Sequence, residues 1–121
     1  MYSATLLDHF HHPRNVGEIT QASVVVEASN PVCGDLIKVW AVLRDGRIQA
    51  VRFKAAGCVA SVACGSWLTE AMLAKTLEEL VALTPDEVAS GLGGLPRASH
   101  HAAVLAIDVL RRLLAHLSSS G

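Results

Sequence analysis

The repeat of the apolar residues changes once in the middle of the chain, at Gly57, and that change restricts the fold more than any other feature. From about residue 22 to residue 55, apolar residues tend to fall at every second position. Beyond Gly57 they fall at helical intervals. Residues 22–28 are rich in valine and read as a strand. Across residues 36–43, the set Ile37, Val39, Ala41 and Leu43 is wholly apolar, while Leu36, Lys38, Trp40 and Val42 are mixed. The first set should face the core. Asp45-Gly46 is a hairpin signal. Residues 48–54 return as a strand, with Ile48, Ala50, Arg52 and Lys54 alternating against Gln49, Val51, Phe53 and Ala55. The expectation is an antiparallel meander of three strands.

Helices flank the meander. Residues 2–10 suit a short helix with Ser3 as N-cap and Leu6, Leu7 and Phe10 on its apolar side, ended by His11-His12-Pro13. A long helix over residues 59–74 carries Val62, Trp67, Leu68, Ala71 and Met72. Thr76 caps a shorter one, with Glu78 and Glu79 in its first turn. Thr84-Pro85-Asp86-Glu87 opens another, closed by Gly91, Gly93 and Gly94. The last covers residues 99–117, with Ala103, Ile107, Leu110, Leu114 and Leu117 as its buried stripe and Asp108, Arg111, Arg112 and His116 in water. Residues 118–121 read as a frayed tail. Strands first and helices later give an α+β sandwich, a small three-stranded antiparallel sheet with helices packed on one face. The 121 residues make one domain, 1–121.

Composition narrows the partners. With 51% hydrophobic and 17% charged residues the chain is globular. A formal net charge of -1 and no run of Lys or Arg argue against nucleic acid. No apolar stretch approaches the roughly 20 residues of a membrane helix. No secretory signal is visible, so a cytoplasmic location is expected. The three cysteines, Cys33, Cys58 and Cys64, are an odd number in such a chain. Reduced thiols fit better than a disulfide framework.

Chemistry concentrates at the turns. Cys33 lies between two strands, and Gly34 frees the backbone so that Cys33 and Asp35 can point the same way. Cys58 stands where strand passes to helix, at the positive end of the helix dipole, a place that favours thiolate. His101 lies in the first turn of the last helix. Two thiolates, a carboxylate and an imidazole would fill a tetrahedral zinc shell, or hold an iron–sulfur unit. Plainer readings stand beside these. Cys33 and Cys58 could be small core hydrophobes, and Asp35 a turn residue. Cys64 reads as core, mid-helix beside Val62, Ala63 and Trp67. His9, His11 and His12 read as an exposed helix end. His100 reads as a neighbour of the site, because adjacent helical residues point about 100° apart.

Tyr2, Asp8-His9, Pro13-Arg14-Asn15-Val16-Gly17, Asn30-Pro31, Cys33-Gly34-Asp35, Gly57-Cys58, Thr69-Glu70, Leu95-Pro96, His101 and Leu105-Ala106 occur together in one order. In that order and spacing the chain, from residue 2 to about residue 112, resembles the NifU/IscU-type scaffolds. The resemblance implies their small α+β fold and their work. Such proteins take sulfur from a cysteine desulfurase, assemble a [2Fe–2S] cluster and pass it to acceptor apo-proteins; their apo sites often hold zinc. It implies that Cys33 and Cys58 are ligands and sulfur acceptors, that Asp35 tunes the cluster and can bind metal, and that His101 stands at the site. Two departures go with it. The family's third cysteine would stand at position 102, which is Ala102 here. Leu95-Pro96-Arg97-Ala98-Ser99 replaces a Leu-Pro-Pro-Val-Lys type loop, so delivery through an Hsp70-type chaperone is not carried over.

Two functions are therefore expected in order. The first is a cluster scaffold or carrier, not an enzyme, with Cys33, Asp35, Cys58 and His101 binding iron, a [2Fe–2S] cluster or zinc. The second is a zinc-holding interaction module of the same fold that has lost assembly, favoured by Ala102. A hydrolytic zinc site lacks the His-Glu-x-x-His pattern. The sequence leaves monomer and dimer open.

Overall fold

The computed structural model describes residues 1–31 and 34–119, with only the backbone of Ser119. Strands β1 (Val24–Asn30), β2 (Asp35–Arg44) and β3 (Arg47–Ala56) form one antiparallel sheet in the order β1-β2-β3. The meander is the one the alternation predicts. Along β1, Val24, Val26 and Ala28 are buried and the residues between them exposed. Along β2, Ile37, Val39 and Ala41 are buried, as expected, and Leu43 is half-buried. Asp45 (φ 54°) and Gly46 (φ 76°) are both left-handed, the geometry of a tight hairpin turn that follows strand twist.

The simple alternation fails at the start of β3. Val42 pairs with Ala50, but Leu43 pairs with Ile48, so Gln49 is the extra residue of a bulge. The slip turns Ile48 onto the same side as Val51 and Phe53, and all three are buried. On the other face, Trp40 is only 7% exposed, with Lys38 Nζ 5.1 Å from its ring centroid.

Helices α1 (Ala4–His11), α2 (Val59–Met72), α3 (Leu77–Val81), α4 (Pro85–Gly91) and α5 (His100–Ser119) cover the core side, with a 3-10 turn at Arg97–Ser99. Their starts follow the caps read from sequence. Ser3 Oγ accepts the Leu6 N–H at 3.0 Å. Thr76 with Glu79 and Thr84 with Glu87 form reciprocal capping boxes. In α5 the stripe Ala103, Ile107, Leu110, Leu114 and Leu117 is buried, and Ala102, Leu105, Ala106, Val109 and Leu113 widen it.

Helix α2 departs from its expected one-sided pattern. Ala60, Ser61, Ala63, Cys64, Gly65, Ser66, Leu68, Thr69 and Met72 are all buried, whereas Val62 and Trp67 are half-buried. The helix is enclosed by β3, α1, α4 and α5, so burial runs around it rather than along one stripe. Small residues permit the approach: a Cβ at Gly65 would lie 2.6 Å from the Phe53 ring.

The exposed helix end expected of His9, His11 and His12 holds only for the last two. His9 is 5% exposed, and its Nδ1 lies 2.7 Å from Ser66 Oγ on α2. The same oxygen accepts the Arg14 N–H at 2.9 Å, and Asn15 Nδ2 donates to Thr69 Oγ1 at 3.1 Å. Burial lowers the proton affinity of His9. Arg14 lowers it further, against the opposing pull of Glu70 and Asp8. Residues 15–17 then strap the outer edge of β3, where Phe53 N–H donates to Asn15 O and Gly17 N–H to Phe53 O. Among the described residues, no helix is long and apolar enough to cross a membrane.

Candidate metal centre

The site forms at the end of the sheet where β2 begins and β3 finishes. Leu36 and Ala56 are paired there, so Asp35 and Gly57 are brought side by side. Gly57 has φ +123°, which lets the chain leave β3 and enter α2 with Cys58 as N-cap. A Cβ at Gly57 would stand 2.0 Å from Asp35 Oδ1. The glycine is therefore required by shape as well as by backbone angle. The start of α5 supplies His101 from the other side.

Three of the residues singled out from sequence meet here. One ligand atom each from Asp35, Cys58 and His101 lies within 4.8 Å of the others. Cys58 Sγ is 3.4 Å from Asp35 Oδ2 and 3.8 Å from His101 Nε2, and His101 Nε2 is 3.0 Å from Asp35 Oδ2. Cys33, the remaining residue of the expected set, lies outside the described residues. His100 is exposed, a neighbour rather than a participant, and Cys64 is in the core with its thiol pushed up to about 12 by burial, Cys58 adding to the effect. Ala102, next to His101, is fully buried.

Asp35 is the hub. It is 2% exposed, and burial by itself raises its carboxyl. Hydrogen bonds from Ser61, the Cys58 backbone, the Cys58 thiol and His101 outweigh that, and the carboxyl falls below its ordinary value. Oδ1 accepts the Cys58 N–H at 3.1 Å, and Oδ2 accepts the Ser61 hydroxyl at 3.0 Å. An ionised carboxylate only accepts, so His101 carries its hydrogen on Nε2 and donates it. Ser61 was not singled out by sequence reasoning. The signal available was its place three residues after Cys58, on the same face of the first turn of α2.

The donor set fits a metal of zinc type. Bonds of about 2.0 to 2.3 Å in a tetrahedral shell put ligand atoms roughly 3.3 to 3.8 Å apart. The 3.0, 3.4 and 3.8 Å separations are close to that without any metal to draw them in. A metal would replace the proton on Cys58, and binding through His101 Nε2 would require the neutral tautomer that keeps its hydrogen on Nδ1. The centre is not sealed. The His101 side chain is 29% exposed and borders a cleft of about 280 Å³ with Ser29, Asn30, Pro31, Val104, Leu105 and Asp108.

The chain as a whole is similar to known proteins. Residues 1–119 match the family model of the NifU-like N terminal domain. The iron-sulfur cluster assembly scaffold protein IscU 1 of Archaeoglobus fulgidus is 46% identical over 114 residues, covering 94% of this chain and 74% of that protein. The scaffold protein IscU of Aquifex aeolicus is 37% identical over 111 residues, covering 90% and 71%. Among solved structures, a putative iron-sulfur cluster assembly scaffold protein for the SUF system, from Fervidobacterium islandicum, is similar with a TM-score of 0.63. It is 25% identical and covers 95% of this chain and 85% of that one. The N-terminal NifU-like protein of Brucella abortus has the same fold, with a TM-score of 0.64 at 18% identity over 96% of this chain and 82% of that one.

Proposed function

The chain belongs to the NifU-like N-terminal domain family, and from that premise we propose that it is a scaffold or carrier for iron–sulfur cluster assembly. The observation that carries the reading is the convergence of Asp35, Cys58 and His101 from β2, the start of α2 and the start of α5. Cys33, two residues before Asp35 in the sequence and outside the described residues, is the proposed fourth ligand. The cargo is iron or a [2Fe–2S] cluster, with zinc in the unloaded form.

Sulfur arrives as the outer sulfur of a persulfide on a cysteine desulfurase. The thiolate of Cys58 or Cys33 attacks that sulfur, a new S–S bond forms on the scaffold, the donor's S–S bond breaks, and the donor leaves as thiolate. This exchange needs no further oxidant or reductant. The bond from the Cys58 backbone N–H to Asp35 Oδ1 does not depend on the thiol proton, so it can hold the Cys58 backbone in place while this occurs. The product stays bound until an acceptor apo-protein removes it, so the role is that of a scaffold rather than of a catalyst that turns over.

A second reading has one observation in its favour. Ala102 is fully buried and offers no ligand atom, which suits a zinc-holding interaction module that has lost assembly. Anaerobic reconstitution with iron, cysteine and a desulfurase separates the two. The scaffold develops a visible [2Fe–2S] spectrum that disappears in Cys58→Ala and in Cys33→Ala. A colourless protein that keeps one zinc per chain through the same treatment refutes the scaffold and supports the module.

A further inference from the structure

We infer that Ser61 is a positioning residue for the metal centre: its hydroxyl is the second fixed anchor of the Asp35 carboxylate and sets that group's aim as a ligand. The inference rests on reading Asp35, Cys58 and His101 as a metal site.

The argument starts from which bonds to Asp35 survive loading. Unloaded, Oδ2 receives Ser61 Oγ at 3.0 Å, His101 Nε2 at 3.0 Å and Cys58 Sγ at 3.4 Å, and Oδ1 receives the Cys58 N–H at 3.1 Å. His101 Nε2 and Cys58 Sγ cannot both ligate and donate through the same atom. When they turn to a metal, their bonds to Asp35 end. Only the Cys58 N–H and the Ser61 hydroxyl can remain, one on each oxygen. The final torsion of an aspartate is broad, so a single donor leaves the carboxylate free to turn, whereas two donors on opposite oxygens fix its plane.

Ser61 is placed for this. It is fully buried in the first turn of α2. A serine inside a helix commonly returns its hydroxyl to the carbonyl four residues back. Here the hydroxyl reaches across to β2 instead, and it also lies 3.4 Å from Cys58 Sγ. Ser61 has no charge to lose and is not a ligand in the proposed shell, so loading by itself does not remove its bond to Asp35. Such outer partners of ligating carboxylates commonly carry a large share of metal affinity.

The test is a double-mutant cycle on the full chain with zinc as the probe, its affinity measured by competition with a chromophoric chelator. Ser61→Ala is expected to weaken zinc binding by about 10- to 100-fold. In an Asp35→Ala background, the same change is expected to alter affinity by less than about 3-fold, because its effect runs through the carboxylate. With cobalt in place of zinc, the d–d bands of Ser61→Ala should shift toward those of Asp35→Ala. An equal loss of affinity in both backgrounds overturns the inference, because a general loosening of α2 would act without Asp35. A Ser61→Ala protein that binds zinc as the parent does also overturns it and leaves the metal site standing. A parent chain that takes up no zinc, iron or cobalt removes the metal reading itself.

Discussion

Gly57→Ala tests the reasoning about the site most directly, because the structure gives both parts of its cost. An alanine at φ +123° sits in a region that residues with a Cβ rarely adopt. That strain is worth about 1 to 3 kcal/mol. The new Cβ would also lie 2.0 Å from Asp35 Oδ1, 2.7 Å from its Cγ and 3.0 Å from its Cα. The Asp35 backbone is held in β2 opposite Asn30, so the side chain is what must leave. Its departure breaks the 3.1 Å bond from the Cys58 N–H, a bond to a charged group worth about 1.5 to 3 kcal/mol.

The combined expectation is a loss of about 2.5 to 6 kcal/mol, a large share of the 5 to 15 kcal/mol typical of a domain. Urea unfolding of the metal-free protein measures it, and zinc stoichiometry reads the ligand. The variant should unfold at markedly lower urea with an unchanged slope, and hold less zinc. Placed in an Asp35→Ala background, Gly57→Ala should cost less, the backbone strain of about 1 to 3 kcal/mol together with the remaining 3.0 Å approach to the Cα of residue 35. A Gly57→Ala protein within about 1 kcal/mol of the parent, carrying its full metal, would refute the claim that this glycine makes room for the carboxylate.

Three other outcomes follow from the same structure. Alkylation of the native protein near pH 8, mapped by mass spectrometry, should modify Cys58 and spare Cys64, whose thiol is fully buried and raised to about 12; modification of Cys64 before unfolding would contradict its burial. His9 has its folded pKa below the ordinary 6.5, so the unfolded chain binds the proton more readily. Stability should therefore be complete above that value, decline as pH falls below it, and level off once folded His9 is also protonated. His9→Gln should flatten that part of a urea-midpoint profile, and an unchanged slope would assign the decline to another group. Ala102→Cys should lengthen cluster lifetime, followed by decay of the visible spectrum, at a packing cost of about 1 to 3 kcal/mol for the buried sulfur. No gain over the parent would mean that the missing thiol is not what limits the site.

Features set by neighbours along the chain were legible before the structure. The two left-handed residues at Asp45-Gly46, the caps at Ser3, Thr76 and Thr84, and the core side of β2 all follow from local chemistry. Asp35, Cys58 and His101 were legible for a similar reason: each stands at an element boundary, and boundaries at one end of a sheet fall close together. What the sequence did not disclose is set by contacts between elements. The bulge at Gln49 decides which side Ile48 faces, and nothing in the alternation marks it. His9 is buried because Ser66 and Arg14 arrive from residues far along the chain or beyond the helix end. Ser61 is an ordinary helical serine until β2 brings Asp35 within 3.0 Å of it.

The contacts of His9 and of Ser61 share one element, α2. At its first turn α2 carries Cys58 and Ser61, which hold Asp35. In its middle Gly65 lets the Phe53 ring press against the backbone, and beyond it Ser66 and Thr69 bind Arg14 and Asn15. The segment from His9 to Gly17 is thus tied both to α2 and to the edge of β3. That arrangement gives a physical role to residues that match the family pattern yet stand away from the proposed metal site. Asp8, His9, Arg14, Asn15, Thr69 and Glu70 hold no ligand position. They fix the rod and the strand between which the site is built. Bonds to buried hydroxyls are directional and weaken steeply when misaligned, so they add to the register that close packing gives the helix. Polar anchors behind Phe53 therefore help to hold Cys58 in register with Asp35. His101, on a different helix, borders the open cleft with its side chain 29% exposed, against 3% for that of Asp35.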